Sequence, residues 1–153
     1  MYESLFGFAA LALVGWALMI FLPGWSVTRR IASWAVFPVY LAVLYVLGVV
    51  PLVVAAGPGI VRDFGSPEGV VGLLANADVA LVVWIHILVL DHLVGVLIYR
   101  DNMRERVAPA PVQSVILFLV LMFGPAGFLL YYALRVVRGR GPAIGGADAA
   151  AAG

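Results

Sequence analysis

The chain has 153 residues, of which 65% are hydrophobic and 11% charged, with a mean hydropathy of +1.12. A soluble domain carries roughly a quarter charged residues, so this composition excludes an ordinary soluble domain and points to an integral membrane protein. The chain has no cysteine, which excludes disulfides and thiolate metal sites, and its net charge of +1, with nine arginines and no lysine, gives no sign of nucleic-acid binding.

A first span is expected over residues 4–22, with Ser4 as N-cap. The chain before it is acidic and lacks a basic n-region, so this run reads as a retained span rather than a cleaved signal. Glu3 reads first as a solvated charge favourable at a helix N-terminus. Pro23-Gly24-Trp25 ends the helix, and Trp25 suits the interface. A connection at 26–30 holds Arg29 and Arg30. A second span covers 31–55 and contains Pro38 and Pro51, which are expected to kink it. Tyr40 and Tyr45 lie near its middle. Buried hydroxyls need partners; theirs are either polar groups of the next span or carbonyls freed beside a proline.

The connection at 56–77 opens on the breaker Gly57-Pro58-Gly59. Ser66-Pro67-Glu68-Gly69 then carries a helix-start pattern, with Ser66 as cap, Pro67 in the first turn and Glu68 at the positive end. Residues 70–75 are too few to span and too apolar to float free, so they read as a short interfacial or re-entrant helix. Asn76 or Asp78 caps the next helix.

The third span, 79–100, carries His86, Asp91 and His92 in its middle. Each ionisable group there costs roughly 3 kcal/mol on insertion scales, so it is expected to have a partner or a role. On a helix, Asp91 lies about 140° around and about 7.5 Å along from His86, and His92 about 100° further round. Three such directions leave no wide lipid-facing arc. The helix is therefore expected to be enclosed on most sides, with His86 and Asp91 facing protein or a cavity. Gly95 is expected to admit another backbone.

The connection at 100–111 is polar and short. A fourth span, 112–137, is expected to kink at Gly124-Pro125-Ala126-Gly127. The tail, 139–153, is rich in Gly and Ala and reads as disordered. The fold expected is thus all-α, a bundle of four membrane spans with a short interfacial helix between spans two and three. Four spans would put four arginines on one side and five on the other, too even a split to set orientation.

Glu3-Ser4-Leu5-Phe6, Gly15-Trp16, the Phe64 to Gly69 turn, Trp84-Ile85-His86 with Asp91, Arg100-Asp101 and Phe123-Gly124-Pro125-Ala126-Gly127 recur in an order that resembles the abscisic-acid-deficient-four-like family. The resemblance covers about residues 3–138. Plant members of that family are needed for converting violaxanthin to neoxanthin. The resemblance attaches to Glu68, Trp84, His86, Asp91 and the Gly124-Pro125 break, whereas His92 departs from the plant pattern. It implies an epoxide-opening isomerisation, which needs an acid for the departing oxygen and a base for the carbon-bound proton. The catalytic candidates are His86 as base, Asp91 or a tyrosine as acid, and Glu68 as an alternative nearer the interface. Trp84, Tyr40 and Tyr45 are the substrate-binding candidates.

The expected setting is a bacterial inner membrane, with the bilayer as partner and a carotenoid or related isoprenoid as ligand. A homo-oligomer or partner enzyme stays open, as does a pigment-binding or scaffold role without catalysis. The sequence names no cofactor. A metal site from Glu68, His86, Asp91 and His92 is disfavoured, because the histidines lack the i, i+4 spacing that puts two ligands on one helical face.

Overall fold

The computed structural model describes residues 2–141 and 144. Of the expected disordered tail, residues 142, 143 and 145–153 lie outside the described residues. Of the described residues 84% are helical, and no strand occurs among them. The helices are α1 (Tyr2–Ala9), α2 (Ala12–Phe21), α3 (Ser26–Ser33), α4 (Val36–Ala56), α5 (Ile60–Asp63), α6 (Pro67–Ala75), α7 (Ala77–Glu105), α8 (Ala110–Phe123) and α9 (Pro125–Val137). Among the described residues three stretches are long and apolar enough to cross a membrane: Glu3–Phe21, Val36–Asp63 and Ala77–Glu105.

The chain divides into two compact units. The first contains the chain up to Ala12 together with Pro38–Leu90. Its helices α1, α4 and the start of α7 meet where Gly48 lies against Val82 and Leu5. The Tyr40 hydroxyl donates to the carbonyl of Phe8 at 2.9 Å, near the break that separates α1 from α2. Ser66 caps α6 as expected, accepting from the backbone of Gly69 at 3.1 Å, with Pro67 in the first turn. Asn76 rather than Asp78 starts α7: its side-chain oxygen accepts from the backbone N–H groups of Asp78 and Val79.

The second unit contains Leu13–Phe37 and the described residues from Asp91 onward. Its core gathers Trp16, Met19, Val96, Tyr99, Leu117 and Tyr131 among others. The last carbonyls of a helix lack partners within it, and bare carbonyls are costly in lipid. Here the Ser114 hydroxyl donates to Ile20 at 2.6 Å and the Tyr99 hydroxyl to Pro23 at 2.5 Å.

Several boundaries differ from the sequence expectation. Ser4 lies inside α1 rather than capping it. Arg29 and Arg30 sit in a helix, α3, whose other side buries Thr28 and Ala32. The chain leaves α3 through Ala35 in the left-handed region, φ 49°, so Pro38 falls in the first turn of α4 and only Pro51 lies inside it. The helix α7 continues past Arg100 to Glu105. Its extension is held by Asn102, whose amide donates to the Ala108 carbonyl at 2.9 Å and accepts the Ala108 N–H at 2.6 Å. With Arg106 at φ 51°, this closes a short turn into α8.

The largest difference concerns the expected fourth span. It is two helices of 14 and 13 residues, divided at Gly124. At 1.5 Å per residue they are about 20 Å long, less than the ~30 Å hydrocarbon core. They do not continue in one direction. Asn102 is bonded to Gln113 of α8, while its neighbour Asp101 is bonded to Tyr131 and paired with Arg135 of α9. In a straight helix Gln113 and Arg135 would stand about 33 Å apart. The chain therefore folds back at Gly124, and α8 and α9 form a hairpin. Its arms approach so closely that a Cβ at Gly127 would strike the backbone of Leu119 and Val120. Pro125 opens α9 without losing a helical bond, since the first N–H groups are unpaired anyway.

Gly127→Val should therefore prise the arms apart and cost about 1–3 kcal/mol, the usual range for overpacking. Thermal unfolding in detergent checks this. Gly24→Ala, at a position with nothing within 4 Å of an added Cβ, should leave the midpoint unchanged.

Candidate functional site

In the first unit, α4 and α7 bring Tyr45 and His86 together, with ring centroids 5.1 Å apart and planes at 45°. His86 is nevertheless exposed on the chain, contrary to the expectation that it faces protein or a cavity. The reason is the extent of enclosure. Only 33% of the most apolar window of α7 is buried, so the helix is not wrapped on most sides. Trp84, 48% exposed, and Ile87, Leu90, Leu93 and Leu97 occupy the open arc with His86. Tyr40 does not reach His86, because its hydroxyl is bonded to Phe8.

Glu68 sits exposed in the first turn of α6. Beside it opens a cleft of about 530 Å³ lined by Leu52, Ala55, Asp63, Gly72, Leu73 and Asn76 among others. Its walls come from the end of α4, from α5 and α6, and from the start of α7. Most of the lining is small or apolar, and Asp63 and Asn76 are the lining residues that carry polar side chains. The Asn76 oxygen is already used as a cap, so its NH₂ is the group left to donate. Glu68 is adjacent to the lining residue Gly69 but is not itself part of the wall. His86 lies seven residues beyond the lining residue Val79, about 10 Å deeper along the helix.

In the second unit, Asp91 is half-buried against the tip of the hairpin. A Cβ at Gly124 would overlap its carboxyl group, so any larger residue there would have to push the Asp91 side chain aside. His92, only 1% exposed, packs against Trp16 and Phe37 with centroids 4.9 and 5.6 Å away. Its Nδ1 has no hydrogen-bond partner among the described residues. Gly95 faces the Trp16 indole, where the sequence suggested a backbone.

A polar cluster at the base of the hairpin was not read as a site from sequence. The buried Asp101 carboxylate accepts from the Tyr131 hydroxyl at 2.6 Å and pairs with Arg135 at 3.3 Å. Its neighbour Asn102 bonds Gln113 and the Ala108 backbone. The available signal was periodic: Asn102 continues the buried stripe of His92, Gly95 and Tyr99. A helix assumed to end at Arg100 hides that continuation. Among the described residues, no group of three or more His, Asp or Glu side chains is placed to hold a metal ion.

The chain matches the family described as ABA DEFICIENT 4-like over residues 4–131. No curated protein and no solved structure matches it significantly.

Two substitutions separate the buried polar groups by role. Asp101→Ala takes a counter-charge from buried Arg135 and should cost about 3–5 kcal/mol, as breaking buried ion pairs does. His92→Leu replaces a buried ring whose Nδ1 has no partner among the described residues by an apolar group, which is near neutral or stabilising. Unfolding midpoints of the two variants, measured in the same detergent, should move in these different ways.

Proposed function

Because the chain belongs to the ABA DEFICIENT 4-like family, we propose that it binds a carotenoid or related long isoprenoid by one end group and acts in xanthophyll conversion of the violaxanthin-to-neoxanthin type, in a bacterial inner membrane. The observation that supports this reading is the cleft of the first unit. A carotenoid is about as long as the bilayer is thick, roughly 30 Å. Lying along the normal, it puts its end ring near the interface. The cleft lies at the end of α4 and the start of α7, where two apolar helices of crossing length terminate. Its volume, about 530 Å³, falls within the range of small-molecule sites. Apolar walls suit the ring, and Asp63 and Asn76 suit a hydroxyl or epoxide oxygen.

An isomerase at this cleft needs an acid for the departing oxygen and a base for the carbon-bound proton. Asp63 in the wall and Glu68, which lies outside the wall beside Gly69 and would have to swing in over the substrate, supply this pair in our reading. His86, with Tyr45 and Trp84, contacts the chain of the isoprenoid further in. Asp91 takes the structural position at the hairpin tip and is given no catalytic step. A binding role without catalysis is the second reading. It is favoured by the fact that no carboxyl group of this unit is hydrogen-bonded to a histidine or tyrosine among the described residues.

The test is to purify the protein in mild detergent from its native host, record an absorption spectrum and analyse the extract by mass spectrometry. A carotenoid-like band is expected. It should vanish in Gly72→Trp, which fills the cleft from a position with open space beside it. Product analysis of Asp63→Asn and Glu68→Gln then separates the readings: turnover lost with the pigment retained indicates catalysis. A colourless preparation free of isoprenoid, or a band that survives Gly72→Trp, contradicts the assignment of the cleft.

A further inference from the structure

We propose that the arginine-bearing end of the second unit is the cytoplasmic face of the protein and binds anionic phospholipid headgroups, and that the α8–α9 hairpin enters the membrane from that face and returns to it. The proposal rests on the chain being a membrane protein and not on its carotenoid reading.

The hydrogen bonds of the second unit align several chain segments at one end. Tyr99 is bonded to Pro23 and Ser114 to Ile20, so the end of α2 lies level with the last turns of α7 and the start of α8. Tyr131 and Arg135 meet Asp101, so the end of α9 returns to the same level. The arginines follow from this alignment. Arg29 and Arg30 lie on α3, Arg100, Arg104 and Arg106 at the end of α7, and Arg135, Arg138 and Arg140 at and beyond the end of α9. Eight of the nine arginines thus gather at one end of this unit. All but Arg135 are exposed. Asp101 and Glu105 are the described acidic residues there, which leaves a net of six positive charges.

The ninth arginine, Arg62, belongs to the first unit with Glu3, Asp63, Glu68 and Asp78. The helix α7 carries Asp78 in its first turn and Arg104 in its last, so a membrane crossing by α7 takes the chain from an acidic to a basic face. Basic residues in short connections stay on the cytoplasmic side. A straight fourth span would move Arg135, Arg138 and Arg140 across and erase the asymmetry. The hairpin keeps them in place and makes it eight to one.

The helix α3 adds a second, independent observation. Its arginines are exposed while Thr28 and Ala32 are buried. Trp25 and Trp34, 48% and 78% exposed, flank it. A short amphipathic helix with arginines on its polar side and tryptophans at its ends suits the headgroup level. Guanidinium groups bind phosphate through paired N–H donors. The occupant this chemistry fits is an anionic phospholipid of the cytoplasmic leaflet.

The absence of cysteine makes a direct test simple. Single-cysteine variants Ser33→Cys, Gly65→Cys and Arg140→Cys are treated with a membrane-impermeant maleimide in spheroplasts and in inverted membrane vesicles. Gly65→Cys should label in spheroplasts, and Ser33→Cys and Arg140→Cys only in inverted vesicles. Labelling of Arg140→Cys together with Gly65→Cys, or of Ser33→Cys in spheroplasts, overturns the proposed topology. Phosphatidylglycerol retained through detergent purification, read by mass spectrometry, tests the ligand. Loss of one arginine near an anionic surface weakens binding about fivefold, so Arg29→Gln/Arg30→Gln/Arg104→Gln should retain several-fold less lipid than the parent or Arg62→Gln. Equal retention in all three proteins removes the headgroup assignment, and an acidic protein co-purifying only with the parent would replace it.

Discussion

A buried carboxylate fixes the second unit of this protein. Asp101, near the end of α7, receives the Tyr131 hydroxyl and the Arg135 guanidinium from α9. One residue on, Asn102 clamps the turn at Ala108 and reaches Gln113 at the start of α8. Both arms of the hairpin are therefore held to adjacent residues of one helix. That attachment holds in place two helices that are each too short to cross a bilayer. The carbonyls of Ile20 and Pro23, at and just beyond the end of α2, are met by Ser114 and Tyr99. In hydrocarbon, where water is absent, every such group must find a partner within the protein.

The polar residues of α7 follow a gradient of role along the helix. Asn76 caps its start beside the cleft. His86 stands on the exposed arc against Tyr45. Asp91 meets the hairpin tip and His92 the aromatic rings of Trp16 and Phe37. Asp101 and Asn102 bind the hairpin base. Ionisable groups in one apolar helix thus need not form one site. The cleft lined by Asp63 and Asn76 draws its polarity from the helix ends, where charge is cheaper than at the midplane.

The sequence made the helical class, the three long apolar stretches, the Ser66 cap and the break at Gly124-Pro125 legible. These depend on local rules of composition, capping and backbone freedom. It did not reveal the direction of the chain after Gly124, because a Gly-Pro break predicts a bend but not its angle. The angle is set by Asp101 and Asn102, which reach residues ten to thirty-odd positions away. Their role was hidden by ending α7 at Arg100, since a polar run reads as a connection until its buried stripe is followed through Asn102. His86 shows the reverse error. An ionisable residue in a span suggests enclosure, but only 33% of the helix window is buried and His86 lies on the open arc. Asp63 and Asn76 drew no notice as wall residues because a cleft made by parts of four helices has no sequence spacing of its own.

The most direct test of the account is a distance across the hairpin. Val112 and Val136 are both exposed, near its two free ends. Spin labels on the double variant Val112→Cys/Val136→Cys, in the otherwise cysteine-free chain, can be measured by pulsed electron resonance in lipid. Packed helices lie about 8–10 Å apart, so with the label arms the folded-back chain predicts roughly 20 Å or less. A straight fourth span of 24 residues between the labels predicts about 36 Å, and a distribution centred there would contradict the hairpin and the arginine asymmetry that depends on it.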